Sequence, residues 1–173
     1  MDIIFKEYCK VVWQKKWYFF MALFALGCSM TLDLSAPVYY KNIDAVEANE
    51  GSRISSEAIF KAINFEIIAK EGSEVQLILD ADRVSLKASS GSKINLSGYT
   101  ANQDITLTSG AILDAKDLST KQTIITVNFG GEAAVFATDF VDAKVRAGGN
   151  ITIFGKPKQI NKKTFAGGSI EEN

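Results

Sequence analysis

Seven aspartates, Asp80, Asp82, Asp104, Asp114, Asp117, Asp139 and Asp142, are the side chains best suited to chemistry in this chain. A pair of carboxylates could act as acid and base in glycoside hydrolysis, and a cluster could hold calcium. Their setting argues otherwise. Most fall in polar stretches that read as turns, where aspartate is favoured because its side chain bonds the local backbone. None sits in a D-x-D-x-D-G loop or a calcium-binding nonapeptide. The chain has no histidine, which excludes Ser-His-Asp and Cys-His catalysis and any histidine-ligated zinc or haem. Two cysteines, Cys9 and Cys28, are too few for a disulfide framework or a four-cysteine metal site. There is no G-x-x-x-x-G-K-[ST] loop, so no P-loop hydrolysis of ATP occurs here. With 19 basic against 20 acidic residues, nothing draws the chain as a whole to nucleic acid. The expectation is a non-enzyme with no cofactor, no metal and no nucleic-acid partner.

The elements that carry these residues repeat. Gly72, Gly91, Gly110, Gly131, Gly149 and Gly168 are separated by 19, 19, 21, 18 and 19 residues. Between them stand short period-2 runs such as Val75/Leu77/Leu79, Val84/Leu86/Ala88 and Ile125/Val127/Phe129, the pattern of half-buried strands. A unit of this size cannot bury its apolar face alone, whereas units stacked in register share one continuous core. The sequence therefore predicts an all-β fold, a β-solenoid of five to six coils of about 19 residues spanning 63–173. The six glycines would be its structural corners, supplying positive φ or close approach between turns. An antiparallel sandwich is the alternative, but it needs no glycine at every second turn. Phe129, Phe136, Phe154 and Phe165 are expected in the core. Tyr99, read in a turn, is the one aromatic candidate for ligand contact. Lys156, Lys158, Lys162 and Lys163 read as a solvated face, whose functional alternative is contact with an anionic surface or glycan.

The N-terminal third differs. Trp17 to Leu32 runs 16 residues without a charge, and counting from Trp13 gives 20, enough for a helix to cross a bilayer. A buried helix of a globular core is the alternative. Lys6, Lys10, Lys15 and Lys16 precede the run, which puts the N-terminus in the cytoplasm and the rest outside. Residues 1–40 are thus expected to be a membrane anchor or signal segment in the lipid bilayer. Cys28, in "FALGCS", resembles a lipoprotein lipidation site, the alternative being a small apolar residue within a helix. Residues 41–62 read as a linker with a short helix through "EAIFKAI", capped by Ser55 or Ser56. The basic lead, the apolar run and then "SAPVYYKNIDAV", over residues 10–46, are similar to the first transmembrane helix of ABC exporters, which would suit an accessory segment of a transporter-like protein.

From Gly72 to Ile170, "LDAKDL", then "AVFATDFVDAKVRAGGNITIFGKP" from Ala134 to Pro157, then the corner Gly167-Gly168, follow in order. This succession resembles the C-terminal half of the GIN-domain putative auto-transporter adhesin family. The resemblance implies a β-solenoid in the bacterial cell envelope, often behind a signal or lipoprotein sequence. Two departures stand out. The family's strand-rich portion before the repeats is missing or reduced to residues 60–71, and its corner aspartate is replaced by Glu74, Lys93, Glu132 and Asn150. The functional expectation is a membrane-tethered solenoid presented for adhesion or envelope interactions. Its partners would be a surface glycan or protein, or a second copy meeting it through the solenoid ends. A carbohydrate-active solenoid enzyme using turn carboxylates is the alternative.

Overall fold

A computed structural model of the protein describes residues 43–173. The expected anchor over 1–40, with Cys28, lies outside the described residues. In the described chain, alternating apolar positions form strands that stack in parallel. They are β1 (Ala45–Ala48), β2 (Arg53–Ala69), β3 (Glu74–Ala88), β4 (Lys93–Thr108) and β5 (Ile112–Asn128). Then come β6 (Glu132–Phe136), β7 (Phe140–Arg146), β8 (Asn150–Phe154), β9 (Gln159–Phe165) and β10 (Ser169–Glu172). Each of β2 to β5 leaves a tight corner along one face, bends midway, and returns along a second face. In later coils the bend interrupts the strand, so β6/β7 and β8/β9 are the two halves of one coil each.

The register shows why these residues stack. Val75 meets Ile94, which meets Leu113, which meets Ala133, which meets Ile151. On the returning face Leu86, Ile105, Ile125 and Ala143 form the matching row. All of these are nearly inaccessible to solvent. Each large aliphatic side chain so buried contributes about 1.5–3 kcal/mol, and none could be buried without the coil above and below it.

Every coil ends in the same turn. Glu50-Gly51, Glu71-Gly72, Ser90-Gly91, Ser109-Gly110, Phe129-Gly130, Ala147-Gly148 and Ala166-Gly167 all have positive φ at both residues. The glycines of these pairs are separated by 21, 19, 19, 20, 18 and 19 residues. Successive corners are tied by backbone hydrogen bonds, such as Gly72 N to Ser90 O at 3.0 Å and Gly91 N to Ser109 O at 3.0 Å.

Two expectations change. The stack has seven corners rather than six, because Glu50-Gly51 closes a coil in what read as a linker. The short helix expected over 56–63 is part of strand β2. Ile59 and Ile63 share one face of a helix, yet the strand keeps Phe60 and Phe65 inside, their rings 5.7 Å apart, and leaves both isoleucines exposed. Stacking on β3 outweighed the local helical spacing.

The C-terminal end is closed with charge. Lys162 pairs in register with buried Ala143, and Glu172 with buried Ile153. Both therefore stand at positions that earlier coils fill with aliphatic side chains. Their charged groups meet at 2.6 Å, so the coil that carries them presents charge where the earlier coils present aliphatic side chains.

Candidate functional site

The row one residue beyond each corner grades in size along the stack: Ser52, Ser73, Ser92, Ala111, Gly131, Gly149, Gly168. Ser73 and Ser92 are fully buried, and their hydroxyls donate to the carbonyls of Ala48 at 3.0 Å and Ala69 at 3.2 Å. Where the row becomes glycine, the backbones draw closer. A Cβ on Gly149 would lie 2.7 Å from Gly131 O, and one on Gly168 would lie 2.5 Å from Gly149 O. Gly72, Gly91 and Gly110 occupy the turns themselves, while Gly131, Gly149 and Gly168 belong to this adjoining row. The turn glycines of those later coils are Gly130, Gly148 and Gly167. Gly-Gly pairs hide which member turns the chain, and only the register separates them.

At the opposite bend a few polar side chains are buried. Gln103 Nε2 donates to Thr123 Oγ1 at 2.9 Å, and the Thr120 and Thr123 hydroxyls are also 2.9 Å apart. Thr120 further donates to the carbonyl of Phe136. The Gln103–Thr123 and Thr120–Phe136 contacts run from coil to coil, with the Thr120–Thr123 contact joining them inside β5, so neighbours are coupled where apolar packing gives way to a turn.

The expected acidic candidates are dispersed. Asp80 and Asp114 lie on the face that leaves the corners, 3.7 Å from Lys61 and 3.2 Å from Lys116. Asp142 is on the returning face, 2.9 Å from Lys144. Asp139 sits at the bend, where its Oδ1 accepts from Lys158 Nζ at 2.8 Å. That hydrogen bond, with the charge of Asp139, raises the pKa of Lys158 above the usual lysine range. The contact therefore stabilises below the ordinary lysine pKa and is lost as pH rises through the raised one. Exposed pairs of this kind contribute little to stability. Among the described residues, no group of three or more acidic or sulfur ligands converges as a metal site.

Tyr99 lies within strand β4, not in a turn, facing outward between Asp80 and Ser119 in the ladder. It is 39% exposed, as a ligand contact would require. The phenylalanines differ more from expectation. Phe136 and Phe154 face outward side by side and are half-buried. Phe129 is 67% exposed and Phe165 56%. The alternation that places Ile125 and Val127 inside ends at Phe129, because the turn begins there.

The outward surface is thus a set of straight ladders of mixed side chains on a rigid, repetitive core. Residues 26–157 match the family described as putative auto-transporter adhesin, head GIN domain. The chain belongs to this family. The matched span starts before Gly72 and so takes in β1 and β2 as well as the repeats marked by Gly72 to Gly149. Membership in this adhesin family points to the cell surface. The fold also resembles the crystal structure of a putative adhesin from Bacteroides fragilis NCTC 9343, with a TM-score of 0.67 and 19% sequence identity. That likeness covers 70% of this chain and 56% of the other, so the chain spans little more than half the length of that relative. No curated protein matches the sequence.

Proposed function

We propose that this GIN-domain chain is a non-enzymatic scaffold, tethered to a bacterial membrane by its N-terminal segment. It presents the solenoid outside the cytoplasm for adhesion or envelope contacts. One observation carries the reading: the inward positions are spent on packing and register, while the outward positions form long exposed ladders. Such a body offers extended surface rather than a cleft, which suits binding of an extended or repeated partner. The basic lead before the apolar run at 17–32 supports the topology.

Cells expressing the full chain should adhere to a surface that cells expressing a chain lacking residues 72–173 do not hold. The purified protein should release no sugar from a panel of glycans. Turnover abolished by a single Asp→Asn substitution would overturn the proposal in favour of a carbohydrate-active enzyme.

A further inference from the structure

We propose that a ridge made by Phe129, Arg146 and Phe165, with Lys163 beside it, binds a linear acidic polysaccharide running along the stacking axis. The proposal deepens the adhesion reading and rests on it. Arg146 and Phe165 share one row with Asn128 in three successive coils, and Phe129 stands one residue beyond that row, at the corner place that the next coils fill with Ala147 and Ala166. Phe129 N donates to Arg146 O at 3.0 Å, and Ala147 N donates to Phe165 O at 3.0 Å. Arg146 and Phe165 are direct partners in the ladder, as are Lys144 and Lys163. Stacked strands lie about 4.8 Å apart. The coil that carries Arg146 thus lies between those that carry Phe129 and Phe165, which are about 10 Å apart along the axis.

Phe129 is anomalous on two counts. It holds a left-handed φ of 55°, which is strained for a bulky residue, and it is largely exposed. The other corners use Glu, Ser or Ala at this place. A large ring kept in a costly conformation without burial points to a role outside the core. Charge singles out the same side. Arg146 and Lys163 are exposed and make no ion pair among the described residues, whereas nearby Asp142 is taken by Lys144. On the other face the same coils present Glu132 and Glu171, while Asp114 there is taken by Lys116. An anion is drawn to the ridge and repelled behind it.

A uronate polymer satisfies both chemistries. The C–H face of a sugar ring packs on a phenyl ring, and its carboxylate pairs with the guanidinium fork of Arg146. Outward Asn128, in register with Arg146, and Thr126, in register with Lys144, stand ready to meet sugar hydroxyls. An anionic bilayer fits less well, since the two phenylalanines belong to coils separated by the one that carries Arg146 and form no wide apolar face.

The test captures the full-length chain by an N-terminal tag and measures binding of polygalacturonate, dextran and phosphatidylserine-containing vesicles. Polygalacturonate should bind and dextran should not. Arg146→Gln and Phe165→Ser should each weaken binding about tenfold. Phe129→Asn should also weaken it while raising the thermal midpoint, which separates lost contact from lost fold. Lys93→Gln removes the same charge from the other face and should change nothing. Equal binding of dextran, equal loss in Lys93→Gln, or vesicle binding without polygalacturonate binding would each overturn the proposal. Cells that adhere equally well with and without Arg146→Gln would overturn the ridge assignment alone, leaving the adhesion reading in place.

Discussion

Adjacent glycines at one corner should respond very differently to the same substitution. Gly148 has φ of 80° and an added Cβ would meet nothing within 4 Å. Alanine there bears only the left-handed backbone cost, about 1–2 kcal/mol. Gly149 has φ of 119°, and its Cβ would lie 2.7 Å from both Gly131 O and Val127 Cγ1. That φ lies beyond the left-handed helical well, at about 1–3 kcal/mol. Forcing the coils apart adds about 1–3 kcal/mol more. Gly149→Ala should therefore destabilise by about 2–6 kcal/mol, against about 1–2 kcal/mol for Gly148→Ala. Urea unfolding followed by far-ultraviolet circular dichroism is the suitable assay, because the only tryptophans, Trp13 and Trp17, precede the solenoid. If the two variants fall within about 0.5 kcal/mol of one another, close approach between coils is not the reason for the second glycine.

Three further outcomes follow from other parts of the stack. Phe129→Asn should raise stability by about 0.5–1 kcal/mol, because asparagine tolerates the left-handed turn and little packing is lost; a lower melting temperature would show that the ring packs after all. Thr123→Val strands the buried Gln103 amide and should cost about 1–3 kcal/mol, while adding Gln103→Leu should recover most of it. A double-mutant cycle by urea unfolding reads this, and strict additivity would refute the coupling. Replacing the terminal pair by Lys162→Leu and Glu172→Leu should leave an apolar end and produce concentration-dependent association by light scattering. A monodisperse double variant would remove the capping role.

The architecture was legible because solenoid packing imposes one period on the chain. Val75, Ile94 and Leu113 recur at the spacing that the register confirms. The first coil was hidden by composition: "GSRISS" has the residues of a linker, and Ile59 and Ile63 have the spacing of a helix. Neither signal registers that β3 offers a ready edge to pair with. The surface was less legible. Period-2 alternation assigned Phe129 to the core, since alternation cannot tell the last inward residue of a strand from the first residue of its turn. Phe165 stayed hidden for a related reason, because inward and outward rows carry similar residues in the last coil, where Lys162 and Glu172 take inward positions.

Display of the solenoid outside the cytoplasm is most directly tested at an exposed corner. Ser90→Cys places a thiol at a solvent-facing turn, in a background where Cys9 and Cys28 are replaced by serine. A membrane-impermeant maleimide should label this cysteine on intact cells or spheroplasts as fully as after lysis. Labelling that appears only after lysis would place the solenoid in the cytoplasm and contradict the account.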